Sequence, residues 1–255
     1  MKLALVGTGR MGQAVEVLAQ AEGHAIVARF DAAHPLLDAR DPDDLNGAEV
    51  CIDFSLPDVA LDHLHRYSFW GVDAVVGTTG WYDELGKVRE WVAEGQNGVL
   101  YAPNFSLGVA VLVRALRGAL PLLDQLSDYD PWVHELHHTG KVDSPSGTAR
   151  LLADELLAGL ARKERLDAET QHGAIAPEVL HVSSTRAGHL FGEHTIGFDS
   201  AMDQLSFTHI AKDRRAFAAG AVRAAAWVQG RTGLFTLDDM LEDVVGRGIG
   251  SSGHG

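Results

Sequence analysis

The sequence predicts an α/β protein in two parts: a parallel sheet covered by helices on both faces, and an inserted α+β domain with a mixed sheet. Over the first hundred residues, short and nearly continuous apolar runs alternate with helical patterns, which is typical of a buried parallel sheet. A glycine-rich turn follows the first of these runs and opens a helix. Beyond residue 178, apolar and polar residues alternate with period two, which indicates strands with one covered face.

The first domain is expected at residues 1–106 and again at 216–245, where a helical pattern returns. Its predicted strands are Leu3–Val6, Ala25–Phe30, Val50–Phe54, Ala74–Gly77 and Val99–Tyr101. Its predicted helices are Met11–Glu22, Pro57–Trp70, Asp83–Glu94, Ala216–Gln229 and Leu237–Val245. Pro57 suits the first turn of its helix, where the missing N–H has no helical partner to lose.

The inserted domain is expected at residues 107–215, and the Gly- and Ser-rich residues 246–255 are expected to form a disordered tail. The predicted elements of the insert are two helices, Leu107–Leu123 and Ala149–Leu160, and four strands, Trp132–His138, Val179–Arg186, Gly192–Phe198 and Gln204–Ala211. A loop rich in Gly, Pro and Ser is predicted from Gly140 to Thr148. The pattern therefore indicates a sheet with one covered face rather than another fully buried parallel sheet.

The composition excludes several classes of partner. The chain has 21 Lys plus Arg against 35 Asp plus Glu, a formal net charge of −14. Because nucleic acids and anionic membranes bind basic surfaces, we expect neither as a partner. The single cysteine, Cys51, cannot form an intrachain disulfide, so a cytoplasmic location is the default expectation. The longest uncharged run, residues 95–113, contains Pro103 and Asn104 and does not resemble a transmembrane helix.

The glycine-rich turn predicts a Rossmann-type dinucleotide site. It fits G-x-G-x-x-G and reads Gly7-Thr8-Gly9-Arg10-Met11-Gly12. The first glycine permits a tight turn, the second lets the backbone approach a pyrophosphate, and the third lets helix and strand pack closely. The N–H groups of the following helix then face the phosphates, and Arg10 adds a cation at the same place.

An acidic residue in the expected place supports this prediction and bears on the type of cofactor. Asp31 lies 19 residues after Gly12, directly after the second strand, where a carboxylate holds the ribose hydroxyls. This acid repels a 2′-phosphate, and neither of the next two residues is cationic, which favours NADH. Arg29 and His34 are close enough in sequence to meet such a phosphate, so NADPH stays open.

Two more turns follow predicted strands, at the edge of a parallel sheet where ligands bind. One is Gly77-Thr78-Thr79-Gly80 and the other is Ala102-Pro103-Asn104-Phe105. We expect both to line the nicotinamide half of the cofactor, although either alone would be interpreted as an ordinary βα turn.

Residues 134–148 contain the largest concentration of side chains that could act in catalysis or bind a ligand. Residues 134–138 match H-E-x-x-H, a zinc-hydrolase motif that works only on a helix. Pro131, Gly140 and Pro145 leave too little room for such a helix. On a strand, His134 and His138 would lie roughly 13 Å apart, too far for one zinc ion. We therefore expect no metal, and we note that exposed histidines without a role remain an alternative.

Lys141 is the only Lys or Arg between Gly118 and Ala149. It could pair with Asp143 as a surface charge, or it could anchor an anion or donate a proton. The turn Ser146-Gly147-Thr148 favours the second interpretation, because its N–H groups and hydroxyls can cap the next helix or bind a carboxylate. An acidic protein can thus hold a small anionic ligand through a few well-placed groups.

These residues resemble the signature of the 4-hydroxy-tetrahydrodipicolinate reductase family, formerly called dihydrodipicolinate reductases. The signature residues are Glu135-Leu136-His137-His138, Lys141, Asp143 and Pro145-Ser146-Gly147-Thr148-Ala149. Other segments that resemble the family are Arg10-Met11-Gly12, Ile52-Asp53-Phe54-Ser55, Gly77–Gly80, Asn104-Phe105-Ser106-x-Gly108, Arg186-Ala187-Gly188, Gly192-Glu193-His194-Thr195 and Phe217-Ala218-x-Gly220-Ala221. The resemblance spans residues 3 to about 241.

The resemblance implies an enzyme that reduces a cyclic, unsaturated imine dicarboxylate with NADH or NADPH, a step toward diaminopimelate and lysine. It implies that His137 gives and takes a proton and that Lys141 is a second proton donor. The implied substrate-binding residues are His138, Gly147 and Thr148. The implied cofactor-binding residues are Gly7, Thr8, Gly9, Arg10, Met11, Gly12, Asp31, Gly77, Thr78, Thr79, Ala102, Pro103, Asn104 and Phe105. A homotetramer built through the second domain's sheet is implied as well.

The sequence departs from the family at the cofactor site. Many members have one more residue in the glycine turn and an Arg directly after the acid of the second strand, where this chain has Ala32. This departure agrees with a preference for NADH. Two alternatives share the glycine turn: another two-domain dehydrogenase, such as an aspartate or homoserine dehydrogenase, and a non-catalytic NAD sensor. Neither accounts for His137 and Lys141 together.

Overall fold

Helices and strands follow one another closely through residues 1–250, which are the residues that the structure, a computed structural model, describes. The helices are α1 (Arg10–Ala21), α2 (Pro57–Trp70), α3 (Leu85–Gly95), α4 (Leu107–Gln125), α5 (Gly147–Gly159), α6 (Arg215–Val228) and α7 (Leu237–Gly250). The strands are β1 (Lys2–Val6), β2 (Ala25–Phe30), β3 (Val50–Asp53), β4 (Asp73–Val76), β5 (Gly98–Tyr101), β6 (Asp130–His137), β7 (Arg165–Asp167), β8 (Val179–Arg186), β9 (Glu193–Asp199), β10 (Gln204–Ile210) and β11 (Gly233–Thr236). They form two compact units: Met1–Ser106 with the chain from Arg215 onward, and Leu107–Arg214.

The first unit is built on a six-stranded parallel sheet in the order β11-β5-β4-β3-β1-β2. All four residues of the central strand β3 are buried: three are apolar, as expected for a sheet covered on both faces, and the fourth is Asp53. Helices α2 and α3 pack together on one side, and α6 packs against α1 and against β3, β4 and β5. The strand order reverses between β1 and β3, and the carboxyl ends of strands at such a point form a ligand-binding crevice.

The second unit is built on a five-stranded mixed sheet in the order β10-β9-β6-β8-β7. Its central strand β6 is parallel to β8 and antiparallel to β9. Helices α4 and α5 cover one face, where Leu116, Leu152 and Phe198 are among the fully buried side chains. Along β6 every second residue is buried, and this alternation decides which site residues face the helices. The predicted fold class, a Rossmann-type sheet with an inserted α+β domain, is confirmed.

Some predicted boundaries need correction. The short strands β7 and β11 were not predicted, because three or four residues with few apolar side chains give no recognisable period. We predicted disorder from Gly246, yet helix α7 continues to Gly250, so its glycines do not end the helix. Residues 251–255 of the predicted tail lie outside the described residues. Within the part of the chain that is described, no helix has the length and apolar character needed to cross a membrane.

Candidate active site

The glycine turn between β1 and α1 is shaped by close backbone contacts. Gly7 has a φ of +88°, and a Cβ there would overlap the carbonyl oxygen of Phe54. A Cβ at Gly12 would overlap the carbonyl oxygen of Gly7, so helix α1 can approach the end of β1 this closely only with a glycine at position 12. The position of a Cβ at Gly9, by contrast, has no atom within 4 Å. Gly9 is the N-cap of α1 and offers no side-chain cap. The backbone N–H groups at this helix end can therefore donate hydrogen bonds to phosphate oxygens.

Asp31 lies exposed at the end of β2, as the dinucleotide hypothesis requires. Its carboxylate accepts hydrogen bonds from the backbone N–H groups of His34 (3.1 Å) and Ala33 (2.9 Å) and from the Thr8 hydroxyl (3.1 Å). These bonds lower the pKa of Asp31 below its usual value, so the group is a carboxylate at neutral pH. Arg29 donates two hydrogen bonds from Nε to the Glu16 carboxylate on α1, at 3.2 and 3.3 Å, and so its charge is already paired.

A buried carboxylate, Asp53, lies beneath the turn that follows β4; the sequence analysis named it only within a segment that resembles the family and assigned it no role. Asp53, at the end of β3, has no exposed surface. Its partners are the Ser55 N–H (2.8 Å), His63 Nδ1 (2.9 Å), the Tyr67 hydroxyl (2.8 Å) and the Thr78 hydroxyl (3.5 Å). Burial and the nearby Asp53 raise the pKa of Tyr67 well above its usual value, so its hydroxyl stays a donor. Asp53 thus fixes the first residues of the turn that follows β4.

The two turns after β4 and β5 meet the same aromatic side chain. A Cβ at Gly77 would overlap the ring of Phe54, which packs edge-on against Phe105 with centroids 5.8 Å apart. Among the predicted cofactor residues here, Thr78, Ala102 and Phe105 are buried, Asn104 is half-buried, and Thr79 and Pro103 are exposed. The Asn104 side-chain oxygen accepts a hydrogen bond from the Ser106 N–H at 2.7 Å, which shapes the second turn.

In the second unit, the H-E-x-x-H residues lie on and just after strand β6, so the helical zinc motif does not exist here. The half-buried His134 contacts the Ser183 hydroxyl on β8 through Nδ1 at 2.7 Å. Glu135 and His137 lie at the buried positions of β6 instead. His138 follows the strand and is half-buried. Its ring lies beside Gly140, and its N–H donates to the carbonyl of Leu190 at 2.7 Å.

Glu135 is fully buried, and the polar groups around its carboxylate come from β6, β8, β9 and the start of α5. Oε1 accepts hydrogen bonds from the Ser146 N–H (3.0 Å), the Ser184 hydroxyl (2.7 Å) and Arg186 Nη2 (2.8 Å). Burial alone would raise the pKa of Glu135, but these donors and the imidazole of His194 outweigh it. Together they hold the pKa far below its usual range. Glu135 is therefore a buried carboxylate whose charge is balanced mainly by Arg186.

His137 is 6% exposed, with Nδ1 3.3 Å from Glu135 Oε2. Burial lowers its pKa to about 4; the carboxylate of Glu135 opposes this shift, whereas His194, Lys141 and Arg186 add to it. The imidazole is therefore neutral at neutral pH in this structure. The sequence does not reveal this burial, which separates the pKa of His137 from the value near 6.5 of a free histidine.

Gly192 leaves room at the other nitrogen of the same ring. Its φ is +140°, and a Cβ there would lie 2.9 Å from His137 Nε2. A larger residue would therefore be strained and would also crowd this nitrogen. The glycine keeps Nε2 free of a side chain at the start of β9.

Lys141 is paired with Asp143, as one of the two sequence interpretations proposed. Its Nζ donates to the two carboxylate oxygens at 2.8 and 3.0 Å. Burial and this ion pair act in opposite directions on Asp143, and its pKa is lowered on balance. Arg186 donates from Nη2 to the carbonyl of Asp143 at 2.7 Å, so it connects this loop with Glu135.

The predicted carboxylate-binding turn begins helix α5. Ser146 is the N-cap, and its hydroxyl accepts a hydrogen bond from the Ala149 N–H at 3.1 Å. The hydroxyl also lies 3.1 Å from His194 Nε2. Gly147 is exposed with open space where its Cβ would lie, and Thr148 is half-buried. Ser146 thus has the capping role, while the exposed Gly147 offers a site for a carboxylate.

Among the described residues, Glu135, His137 and His194 could also offer ligand atoms to a metal ion, since these atoms lie within 4.8 Å of one another. Arg186 already places a cation 2.8 Å from the same carboxylate, which disfavours a second cation there. The sequence analysis named Glu135 only as a signature residue and assigned no role to Arg186 or His194. The sequence does contain one signal: Glu135 is a charged residue at a position of the alternating strand that is expected to be buried. A buried charge requires polar or charged partners nearby.

The chain is similar to known proteins over most of its length. Residues 1–105 match the family profile described as "Dihydrodipicolinate reductase, N-terminus", and residues 108–241 match "Dihydrodipicolinate reductase, C-terminus". A protein of Christiangramia forsetii named 4-hydroxy-tetrahydrodipicolinate reductase is 36% identical over 248 residues, covering 96% of this chain and 99% of that protein. A protein of Thiobacillus denitrificans with the same name is 34% identical over 265 residues, covering 94% and 98%.

One solved structure shows the shared fold. It is described as dipicolinate-bound dihydrodipicolinate reductase from Paenisporosarcina sp., and it has a TM-score of 0.74 at 23% identity. The match covers 92% of this chain and 97% of that one. The resemblance found in the sequence is confirmed by these comparisons.

Proposed function

Because the chain belongs to the dihydrodipicolinate reductase family, we propose that it reduces 4-hydroxy-tetrahydrodipicolinate to tetrahydrodipicolinate with NADH or NADPH. It is an oxidoreductase of diaminopimelate and lysine biosynthesis. The overall change adds a hydride and a proton to the ring and releases water from the 4-hydroxyl group. The protein must therefore hold a dianion, supply a proton and bind a dinucleotide.

One observation carries the proposal: a single buried carboxylate joins the proton-carrying residue to the anion-binding helix end. Glu135 contacts His137 Nδ1 through Oε2 and accepts the N–H of Ser146, the N-cap of α5, through Oε1. A substrate carboxylate at Gly147 and Thr148 would thus lie near the imidazole. His138 and Lys141 are the proposed additional contacts to the dianion.

The dinucleotide would be held by the residues of the first unit. The open space at Gly9 and the uncapped end of α1 fit a pyrophosphate, and Arg10, Thr8, Met11 and Gly12 complete this turn. Asp31 would accept the ribose hydroxyls. The nicotinamide half would contact residues of the two turns after β4 and β5: Gly77, Thr78, Thr79, Ala102, Pro103, Asn104 and Phe105. When bound, the dinucleotide supplies the hydride, and the protein orients it.

Substrate binding would itself prepare His137 for proton transfer. The imidazole is neutral when the site is empty, because burial lowers its pKa to about 4. A dianion bound nearby favours the protonated form and raises this pKa. Lys141 would exchange Asp143 for a substrate carboxylate or donate the second proton. The binding of a dicarboxylate is therefore expected to take up a proton from solution.

The test generates the unstable substrate enzymatically and follows NADH and NADPH absorbance with wild type, His137→Ala and Lys141→Ala. We expect wild type to oxidise the cofactor and both variants to lose about 10²-fold or more in kcat. Unchanged turnover in both variants would refute the assigned residues. Failure of fresh substrate to oxidise either cofactor would refute the function.

For the cofactor we propose a preference for NADH. Asp31 is ionised and exposed where a 2′-phosphate would lie, and Arg29 is already paired with Glu16. We expect kcat/KM to be higher with NADH in wild type. The double variant Asp31→Asn with Ala32→Arg should shift the NADH-to-NADPH ratio toward NADPH by about 10-fold or more. The single variant Asp31→Asn should shift the ratio in the same direction by a smaller factor. Asp38→Asn removes the same charge from another exposed position and should leave the ratio unchanged, and an equal shift in these two single variants would refute this role of Asp31.

We also propose a homotetramer formed through the second unit's sheet, and a cytoplasmic location. In the described structure, Ser206, Thr208 and Ile210 of strand β10 are exposed, and Ile210 keeps 60% of its surface accessible. An exposed edge strand of this kind is suited to pairing or packing with another copy. Light scattering coupled to size exclusion should give four times the monomer mass, and a monomer mass would refute the assembly.

A further inference from the structure

The two oxygens of the Glu135 carboxylate meet different kinds of partner. Oε1 accepts three hydrogen bonds from groups that stay protonated at neutral pH: a backbone N–H, a hydroxyl and a guanidinium. Oε2 lies near two imidazoles, His137 Nδ1 at 3.3 Å and His194 Nε2 at 3.6 Å. Oε2 and His137 Nδ1 are both buried and neither has a hydrogen-bond partner of good geometry, so each is the nearest group that could satisfy the other after a small rotation of the ring. One oxygen is thus fixed by the fold, and the other is presented to histidines.

We propose that Glu135 is a positioning residue, which holds the imidazole of His137 with its Nδ1 protonated and ties it to the N-terminus of α5. The proposal rests on the proposed function, because it needs His137 as the group that exchanges a proton with substrate. It assigns to Glu135 no direct contact with substrate or cofactor.

The chemistry of the carboxylate selects the tautomer of His137. An ionised carboxylate has no proton and can only accept, so the nitrogen that faces Oε2 is stabilised as N–H. The neutral ring then has its lone pair on Nε2, the nitrogen at which Gly192 leaves space. Other charged or titratable groups near the ring are His194 on β9, Arg186 on β8 and Lys141 in the following loop. Arg186 and Lys141 have no acceptor atom, and an imidazole is a weaker acceptor than a carboxylate. Glu135 is therefore the strongest acceptor for a proton on Nδ1 among these groups.

The same carboxylate also links the parts of the site. Its Oε1 holds the Ser146 N–H at the start of α5, and Arg186 bridges Oε1 to the carbonyl of Asp143 in the Lys141 loop. The His137 ring, the helix end and the Lys141 loop therefore share one anchor. An amide oxygen can still accept the three donors of Oε1, so removing the charge should leave the helix end and the loop largely in place and disturb mainly the imidazole.

The test is Glu135→Gln, which keeps the size of the side chain and removes its charge. The amide would present either a donor to Nδ1 or a weaker acceptor, so the Nδ1–H form is no longer enforced. We expect kcat to fall by about 10²-fold or more while KM for substrate changes much less. The loss of a nearby negative charge lowers the pKa of His137, so the decline of kcat with rising pH should begin at lower pH.

Nitrogen-15 NMR of the histidine rings reports the tautomer directly. In wild type without ligands, at pH 7, we expect His137 to carry its proton on Nδ1, and in Glu135→Gln we expect the Nε2–H form to gain population. Because the wild-type measurement needs no variant to fold, it tests the proposal even if Glu135→Gln is unstable. A wild-type ring with its proton on Nε2 would overturn the proposal.

Two variants measured in parallel separate the explanations. Glu155→Gln is a matched control in α5, where Glu155 pairs with Arg117 at the surface, and it should keep wild-type kcat. His137→Gln tests the proposed function itself. If His137→Gln is fully active, the proposed site has failed; if it is inactive while Glu135→Gln keeps wild-type kcat and pH profile, only the positioning role of Glu135 has failed.

Discussion

At the scale of single residues, Gly192 shows how a missing side chain can shape chemistry. Its φ of +140° and the 2.9 Å separation between a built Cβ and His137 Nε2 act together. The positive φ means that any other residue at position 192 would strain the backbone. The short distance means that its Cβ would also crowd the His137 ring, which the proposed reaction uses. Both follow from one position, so a single substitution should affect stability and activity at once.

We predict that Gly192→Ala lowers kcat/KM by about 10-fold or more and destabilises the fold by about 1–2 kcal/mol. Steady-state kinetics and urea unfolding check the two parts. Gly188→Ala is the comparison, because Gly188 also has a positive φ, +50°, but has open space where its Cβ would lie. If both variants lose activity equally, backbone strain alone explains the effect and crowding of Nε2 is refuted.

The sequence could single out His137, Lys141 and the Ser146–Thr148 turn as candidate site residues because they lie within one short segment. It could not predict how Glu135 is satisfied. The donors to its Oε1 come from positions 11, 49 and 51 residues away in the chain. Only the sheet register, which pairs β6 with β8, brings Ser184 and Arg186 beside it. The lowered pKa of His137 could not be predicted for the same reason, because burial is a property of the folded unit.

At the scale of elements, helix α5 combines an N-cap with the proposed anion site. The Ser146 hydroxyl accepts the Ala149 N–H, which satisfies one of the free donors of the first turn. It also contacts His194, so the cap is fixed from the side of β9. A well-ordered helix end is what a substrate carboxylate would need at Gly147.

We predict that Ser146→Ala destabilises the protein by about 1–2 kcal/mol and raises KM for substrate several-fold. Urea unfolding and steady-state kinetics measure these effects. Asp41→Ala removes a cap from a 3₁₀ turn of the first unit, where Asp41 accepts the Asp43 N–H at 2.9 Å. That control should lower stability and leave KM unchanged, and an unchanged KM in Ser146→Ala would contradict the anion-binding role.

The predicted elements matched best where the apolar period was long. Strand β2 and helix α2 have the predicted limits, because apolar spacing and the flanking Gly and Pro residues agree there. The edge strands β7 and β11 were missed, since each is defined by its neighbour's hydrogen bonds rather than by its own sequence.

At the scale of the whole molecule, buried titratable groups make stability depend on pH. His137 is neutral in the fold with a pKa of about 4, whereas an unfolded histidine takes up a proton near pH 6.5. Its contribution to stability is therefore complete above about pH 6.5 and is lost as the pH falls toward 4. Glu135 has a lowered pKa, so its contribution is lost below about pH 4.5. Both groups make the protein less stable in acid.

We predict that wild type loses about 2 kcal/mol more unfolding free energy between pH 7 and pH 5 than His137→Gln does. Urea unfolding at the two pH values gives this difference. His34→Gln removes a side chain that is 85% exposed and should keep the wild-type pH dependence. Equal pH dependence in wild type and His137→Gln would show that the imidazole is not held neutral by the fold.

The discontinuous first unit has a consequence for synthesis on the ribosome. Its chain leaves at Ser106 and returns only at Arg215, and helix α6, which packs against β3, β4 and β5, belongs to the returning part. At typical elongation rates, about 5–20 s separate the two segments. During that interval β3, β4 and β5 lack the helix that covers them, while the inserted unit is still being synthesised. The nascent chain is therefore most exposed to aggregation, and most in need of chaperones, until the segment from Arg215 has left the ribosome.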